Sequence, residues 1–178
     1  MTGYSDSASR LALAQPLKTP KVFVRQLTTG DTHLLLQAAA EVAFVKGALS
    51  VPGSVEEAAT MLGEWERLRV ADRGNLFGAF LPDASRMMGV MSLCLTDDFV
   101  AEGAAWSRSD SSSRKTVVAG LNEVVRFAHR QMRLLRIWVE VDPMDPFTRF
   151  LSTKAGFSRE TDVRAPDGSV RHRYSSIG

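Results

Sequence analysis

Three strand-like segments follow one another between residues 76 and 107 with only short turns between them, and this limits the fold more than any other feature. The segments read LFGAFLPD (76–83), RMMGVMSLCLTDD (86–98) and VAEGAAWS (100–107). Connections this short join only antiparallel neighbours, so the segments predict a three-stranded antiparallel meander. An all-helical fold is thereby excluded.

Two helices are predicted between a first strand, KVFVRQL, and this meander. Asp31 precedes the apolar run LLLQAAAEVAFVKG and predicts the N-cap of the first helix, which Gly47 would end. Ser54, with Glu57 three residues later, has the spacing of a capping box and predicts the start of the second helix.

The chain after the meander alternates between helices and strands. SDSSSRKT (109–116) reads as a polar loop, and apolar residues at helical spacing from Val117 to Met132 predict an amphipathic helix of about four turns. RIWVEVD (136–142) predicts a strand, which a short helix and a final hairpin with a PDG turn follow. The predicted order is βααβββαβαββ, an α/β (α+β) fold.

The 178 residues fit one domain. Residues 1–20 predict a polar N-terminal tail, and residues 21–178 a single domain. No run approaches the roughly 18 apolar residues of a membrane span, and the N-terminus lacks the pattern of a signal peptide, so a cytoplasmic protein is expected. The single cysteine, Cys94, lies in an apolar run and predicts a buried, inert thiol.

Charge is distributed unevenly along the chain. The net charge of +2 combines −3 over residues 1–110 with +5 over residues 111–178. A basic C-terminal half favours an anionic ligand, such as a phosphorylated cofactor or a nucleic acid, although solvated arginines give the same count. The three histidines lack metal-ligand spacing, so no metal site is expected.

The order of elements, with a mixed sheet, resembles the GNAT superfamily of acyl-CoA-dependent N-acetyltransferases. AEGAAWS resembles the fourth strand of its RimJ/RimL-like branch, and residues 141–175 resemble the C-terminal block of that branch. The residues at the motif positions of this block are Asp145, Lys154, Gly156, Phe157, Gly168, Tyr174 and Ser175. The resemblance covers about residues 22–176. It implies a mostly antiparallel central sheet flanked by helices, with acetyl-CoA as cosubstrate.

The resemblance places the family's acyl-CoA loop, Gln/Arg-x-x-Gly-x-Gly/Ala, at residues 112–117. These are Ser112, Ser113, Arg114, Lys115, Thr116 and Val117. Both small residues are replaced, which puts side chains where a diphosphate would meet backbone N–H groups. The serine hydroxyls, two cations and the positive end of the following helix still favour an anion. Either the loop still binds CoA, or the fold serves another binding purpose.

The resemblance also points to the groups that acyl transfer needs. Glu102 is the expected base or anchor for the amine, with a solvent-facing edge carboxylate as the alternative. Backbone N–H groups around Ala105, Trp106 and Ser107 are the expected oxyanion and pantetheine contacts, because the fourth and fifth strands of the family splay apart.

Three further positions follow from the same resemblance. Ser152 matches the tyrosine that many GNAT enzymes use as the acid for the thiolate, and a solvent-facing serine is the alternative. Tyr174 is a second candidate acid, with half-buried packing as its alternative. Asp145 stands in the place of the branch's asparagine and can accept hydrogen bonds from the cofactor but not donate them.

The expected function is transfer of an acetyl group from acetyl-CoA to a primary amine by direct attack. A protein N-terminus is favoured over a lysine because an α-amine, with a pKa near 7.7–8.0, is partly neutral at pH 7. The alternative is a catalytically degenerate GNAT-fold binding or regulatory domain. Nucleic-acid binding ranks third, because the arginine-rich helix lacks interleaved aromatic residues. The acceptor, the acyl chain and homodimerisation stay open.

Overall fold

A computed structural model describes residues 11–42 and 49–178 of the chain, where one eight-stranded sheet carries helices on both faces. The strands are β1 (Leu17–Lys18), β2 (Phe23–Gln26), β3 (Gly74–Phe80), β4 (Met87–Asp97), β5 (Val100–Ser107), β6 (Arg136–Val141), β7 (Ser158–Arg164) and β8 (Val170–Ile177). The helices are α1 (Thr32–Ala39), α2 (Val55–Val70), α3 (Ser111–Arg130) and α4 (Pro146–Lys154). The predicted mixed α/β class is confirmed.

The strands lie in the order β1-β2-β3-β4-β5-β6-β8-β7. The predicted meander is confirmed, since β3, β4 and β5 pair antiparallel in sequence. Helix α3 connects β5 to β6, and these two strands are the parallel pair of the sheet. A crossover helix is the usual connection between parallel neighbours, because a hairpin cannot join them.

Each face of the sheet has its own apolar core. On one face, α1 and α2 cover a cluster that includes Leu35, Leu62, Leu76, Val90 and Trp106. On the other face, α3 and α4 cover a second cluster, which includes the buried Tyr174. Successive strand residues point to opposite faces, so the alternation of each strand assigns its side chains to one core or the other.

The helix starts agree with the sequence at α2 and at α1. At α2, Ser54 Oγ accepts from Glu57 N at 3.1 Å, while Glu57 Oε2 accepts from Gly53 N at 2.7 Å. Asp31 is the N-cap residue of α1, as predicted, but its side chain makes no capping hydrogen bond, because its carboxylate accepts instead from the Arg25 guanidinium at 2.6 and 2.8 Å. Helix α1 ends at Ala39, and the predicted end at Gly47 lies outside the described residues.

The second half of the predicted N-terminal tail packs against the domain. Leu11 is fully buried and Leu13 is buried beside it, both in the core on the α3 face. Residues 17–18 then form β1, which pairs antiparallel with β2. Because this segment is mostly polar and contains prolines, its sequence pattern did not predict that Leu11 and Leu13 are buried.

The polar loop predicted over residues 109–116 is wrong, because α3 already begins at Ser111. Asp110 is the N-cap, and its carboxylate accepts from Ser113 N at 2.8 Å. A capped start needs no apolar residue in the first turn, so the apolar periodicity from Val117 onward located the helix two turns late.

His129, near the end of α3, makes contacts with both of its ring nitrogens. Its ring Nδ1 lies 2.7 Å from the Leu134 carbonyl oxygen, and its Nε2 lies 3.0 Å from Ser176 Oγ. The imidazole therefore ties the end of α3 to β8, and its role in this fold is structural.

Candidate active site

Strands β5 and β6 separate along their length. They pair at three positions, Val100 with Arg136, Ala101 with Ile137 and Glu102 with Trp138. Beyond these pairs, β5 continues beside β4 and β6 continues beside β8. We call the space between residues 103–107 and residues 139–141 the gap. It is the splay that the resemblance implied, and it exposes strand edges whose N–H and C=O groups are not used between β5 and β6.

Glu102 lies at the narrow end of the gap, in its last β5–β6 pair. Its side chain shares a face with Ala104 and Trp106, as the sequence alternation predicted, and this is the face that α1 and α2 cover. The carboxyl is half-buried, and burial raises its pKa above the ordinary value. Glu140 raises the pKa further, while Arg173 and Arg171 lower it.

A charged and aromatic group borders Glu102 on the same face. Arg173 Nη2 donates to Glu140 Oε1 at 2.6 Å, and the guanidinium carbon lies 4.4 Å from the centre of the Trp138 ring. Sequence reasoning missed this group. The alternation in RIWVEV places Trp138 and Glu140 on one face, but only the observed register brings Glu102 and Arg173 beside them.

Cys94 lies next to Glu102, because the two residues are partners in the β4–β5 pair. It is half-buried rather than buried. Burial raises the pKa of the thiol, and the charge of Glu102 raises it further. The reactive thiolate is therefore disfavoured, which agrees with the inert thiol predicted from the sequence.

Ser152 and Tyr174 lie on the opposite side of the sheet from Glu102. Tyr174 pairs with Val139, which follows Trp138 and so points to the other face. Tyr174 is 5% exposed within the α3–α4 core, and Ser152, on α4, is 4% exposed. The solvent-facing alternative for Ser152 is therefore wrong. The structure therefore places these two residues on one face of the sheet and Glu102 on the other.

Asp145 lies immediately before α4. Its backbone carbonyl accepts from Arg149 N at 3.3 Å, and its own N–H donates to the Asp142 carbonyl at 2.9 Å. The residue thus shapes the turn from β6 into α4, at the far end of the β6 side of the gap.

Ala105, Trp106 and Ser107 form the carboxyl end of β5. Trp106 is 1% exposed, and its indole Nε1–H has no hydrogen-bond partner among the described residues. Ser107 Oγ donates to the Arg108 carbonyl at 2.8 Å. The indole belongs to the α1–α2 core, so this unpaired donor is buried among apolar side chains.

Residues 112–117 form the first two turns of α3 rather than a loop. Ser113, Thr116 and Val117 are buried, whereas Ser112, Arg114 and Lys115 are exposed. Backbone N–H groups from the second turn onward donate within an α-helix, so those of residues 115–117 are already used.

The Asp110 carboxylate occupies the N-terminus of this helix. Besides the Ser113 N–H, it accepts from Ser113 Oγ at 2.6 Å. The Ser113 hydroxyl is the main cause that holds the pKa of Asp110 below its usual value. A fixed negative charge therefore stands where a helix N-terminus would otherwise attract an anion.

The two halves of CoA fit this structure differently. The gap, with its free strand edges, fits an extended amide-bearing chain such as the acyl-pantetheine arm. The start of α3 does not offer a diphosphate the amide cradle implied by the resemblance, because Asp110 and the helix use those amides. Exposed Arg114 and Lys115 are the cations nearest to that position in sequence.

The described ranges contain neither a metal-binding cluster nor a helix that could span a membrane. No group of three or more His, Cys, Asp or Glu residues there is arranged to hold a metal ion. Each helix within residues 11–42 and 49–178 is too short or too polar to cross a lipid bilayer.

Neither a protein-family model nor a curated protein matches the chain. Solved structures do match it over almost its whole length. A putative ribosomal-protein-serine acetyltransferase from Vibrio cholerae superposes with a TM-score of 0.77 at 17% identity, covering 94% of this chain and 99% of its own. A GNAT-family acetyltransferase from Bacillus anthracis gives a TM-score of 0.76 at 11% identity, covering 92% and 98%.

A third match is the RimL ribosomal L7/L12 alpha-N-protein acetyltransferase in complex with coenzyme A, with a TM-score of 0.72 at 14% identity. It covers 92% of this chain and 98% of its own. At these identities the similarity establishes the architecture, and it confirms the resemblance at that level: the chain has the fold of the GNAT acetyltransferases.

Proposed function

We propose that this protein is an N-acyltransferase that moves an acetyl group from acetyl-CoA to a primary amine by direct attack. The observation that carries the proposal is the gap between β5 and β6 with Glu102 at its narrow end. The gap gives an acyl-pantetheine arm a place between two free strand edges. Glu102 gives an incoming amine a carboxylate on one side of that place.

Acetyl-CoA would supply an acetyl group activated as a thioester, and the chain would supply the proton acceptor. An amine attacks only when it is neutral, so a group that holds and removes its proton accelerates the reaction. The raised pKa of Glu102 makes this carboxylate a stronger base than an ordinary glutamate, because a base is more effective when its pKa lies nearer the working pH.

The opposite face of the sheet carries the candidate proton donors. Tyr174 and Ser152 lie on the α4 side, across the sheet from Glu102. A hydroxyl on that side donates a hydrogen bond to a leaving thiolate without competing with the amine for Glu102. Tyr174 is the better acid, because a phenol has a pKa near 10 whereas the serine hydroxyl is much less acidic.

The acceptor favoured is a protein N-terminal α-amine, with a small primary amine as the second class. An α-amine is partly neutral near pH 7, so it asks less of Glu102 than a lysine would. Two solved structures with this fold carry names of ribosomal-protein acetyltransferases, and one of these names specifies the α-amino group.

A catalytically degenerate binding or regulatory domain is the second candidate. The observation that favours it is the start of α3, where Asp110 and the helical amides leave no cradle for a diphosphate. Such a domain would keep the gap but would not turn over acetyl-CoA.

Mass spectrometry of acetyl transfer separates the two candidates. The protein is incubated with acetyl-CoA and two peptides, one with a free N-terminus and no lysine, the other with a blocked N-terminus and one lysine. We expect acetylation of the first peptide at a higher rate, and we expect Glu102→Gln to slow it about 100-fold or more. Absence of product from both peptides and from small amines would favour the binding domain.

A further inference from the structure

The start of α3 lies at the mouth of the gap. Only residues 108–110 separate the end of β5 at Ser107 from the first residue of α3 at Ser111. Three residues span about 10 Å at most, so the helix N-terminus stays close to the carboxyl end of β5. If the thioester of acetyl-CoA lies in the gap, the diphosphate and nucleotide of the molecule therefore lie near this end of the helix.

Asp110 places a carboxylate at that point and holds it there with two hydrogen bonds. Both of its oxygens accept from Ser113, Oδ1 from the backbone N–H at 2.8 Å and Oδ2 from the hydroxyl at 2.6 Å. Ser113 is fully buried, so its side chain fixes the geometry from within the protein. The carboxylate occupies the positive end of the helix dipole, where a negative charge is favoured. A diphosphate bound at the same place would be repelled by this carboxylate, because both are negatively charged.

The surrounding backbone is fixed as well. Arg108 is buried, and its Nε donates to Glu41 Oε2 at 2.7 Å while its Nη1 donates to the Met87 carbonyl at 3.2 Å. This guanidinium is thus occupied by protein groups. Ser109 N donates to the Glu41 carbonyl at 3.1 Å, which ties the turn before α3 to the end of α1.

Close packing keeps the first turns of α3 against the sheet. Val117 is fully buried, and a methyl group added at Gly89 would come within 2.5 Å of Val117 Cγ2. The helix start therefore cannot unwind toward a looser, glycine-like path without losing this contact.

We infer that Asp110 excludes a diphosphate from the start of α3, so that the protein recognises its acyl donor through the pantetheine arm and gains little from the nucleotide half of CoA. The inference rests on the proposed function, since it assigns the donor specificity of the same site. It makes Asp110 a specificity-determining residue: the carboxylate repels the diphosphate and leaves the arm untouched.

Calorimetric titrations with CoA and with pantetheine test the inference on the full chain. Two variants distinguish the effect of the Asp110 charge from the effect of the hydrogen bonds that its side chain accepts from backbone amides. Asp110→Asn removes the charge but keeps a capping side chain, whereas Asp110→Gly also frees the amides at little cost to the helix. Asp167→Asn is the matched control, because Asp167 accepts from the backbone N–H and hydroxyl of Ser169 in the β7–β8 turn as Asp110 does from Ser113.

We expect the wild-type protein to bind CoA and pantetheine with affinities within about threefold of each other. Asp110→Asn should tighten CoA about fivefold, in line with removal of one charge at a helix N-terminus, and Asp110→Gly should tighten it more. Pantetheine should bind all variants equally, and Asp167→Asn should behave as wild type.

The other outcomes are equally decisive. The inference would be overturned if the wild-type protein bound CoA more than tenfold more tightly than pantetheine. It would also be overturned if the affinity for CoA were unchanged in both Asp110 variants. Either result would leave the proposed function standing. If wild type binds neither compound and an Asp110 variant binds CoA, the exclusion is supported and the proposed function fails. If no variant binds either compound, both fail.

Discussion

Glu102 is the residue whose environment decides the chemistry proposed here. Burial and the neighbouring Glu140 both raise its pKa, and Arg173 and Arg171 only partly compensate. Glu140 also accepts a hydrogen bond from Arg173. Glu140 therefore acts on the pKa of Glu102 in two ways, directly through its own charge and indirectly by pairing with the Arg173 guanidinium. Burial is the larger cause of the raised pKa of Glu102, and Glu140 is the neighbouring side chain that adds to it.

Replacing Glu140 tests this effect through pH dependence. Glu102 must be ionised to accept a proton, so kcat/KM rises with pH through its raised pKa. Glu140→Gln removes the like charge and frees Arg173, and both effects lower that pKa, so the acid limb of the profile should shift to lower pH. Glu123→Gln, a glutamate of α3 paired with Arg126, is the control and should leave the limb in place. An unmoved limb in Glu140→Gln would remove Glu102 from the role of base.

Asp110 has a structural role that stability measurements report separately from ligand binding. Asp110→Ala removes the N-cap of α3 and should lower the free energy of unfolding by about 1 kcal/mol. Because the pKa of Asp110 is depressed in the folded state, its stabilisation is present above the unfolded pKa of about 3.9 and is lost as the pH falls through the folded value. Urea unfolding should therefore show a difference between wild type and Asp110→Ala at pH 7 that shrinks toward pH 3. A constant difference would contradict this role.

Residue roles were predictable from the sequence where the signal is local. Ser54 and Glu57 mark the start of α2 by their spacing alone, and the structure agrees. Asp110 has a comparable signal, an aspartate three residues before a serine at a helix start, but the apolar periodicity begins later and outweighed it. The Glu140–Arg173 pair left no local signal, because it depends on the register between two strands far apart in sequence.

At the scale of elements, the close approach of α3 to the sheet depends on Gly89. A side chain there would meet Val117 Cγ2 at 2.5 Å, with the Trp106 carbonyl oxygen closer still. Gly89→Ala should therefore lower the free energy of unfolding by about 1–3 kcal/mol through overpacking.

Gly63→Ala is the matched control for this prediction. Gly63 lies within α2, and a methyl group added there meets nothing within 4 Å. It should stabilise the protein by about 0.5–1 kcal/mol, because alanine favours a helix over glycine. Equal effects of the two substitutions in thermal unfolding would contradict the packing described at the start of α3.

Most elements followed from their periodicity, and the exceptions have physical causes. The meander, α2 and β6 carry strong patterns and short connections. The strand β1 was missed because two residues held by an antiparallel neighbour have no period of their own. The start of α3 was missed because its first turn is polar and depends on a cap.

At the scale of the molecule, the sheet divides the candidate site. Glu102 and Trp138 face the α1–α2 side, whereas Tyr174 lies in the α3–α4 core, so the sheet itself lies between them. The alternation of each strand was readable from the sequence. The separation of β5 from β6 was not readable, because it depends on where pairing stops.

Among the described residues, four arginines of the basic C-terminal half form ion pairs within that half. Arginines of the basic half pair with carboxylates of the same half: Arg126 with Glu123, Arg136 with Glu160, Arg159 with Asp162 and Arg173 with Glu140. Each pair is neutral, so these pairs leave the surplus of five positive charges over residues 111–178 in place. Solvated arginines produce such a surplus as readily as an anion site does, so the charge count alone does not identify a phosphate site.

Thermal unfolding of the wild-type protein in increasing acetyl-CoA tests most directly whether the space between β5 and β6 receives an acyl donor. A ligand that binds only the folded state raises the Tm in step with the logarithm of its concentration once it exceeds the Kd. The account predicts such a rise, equalled by S-acetylpantetheine at the same concentration. A Tm unchanged by either compound at millimolar concentration would contradict it.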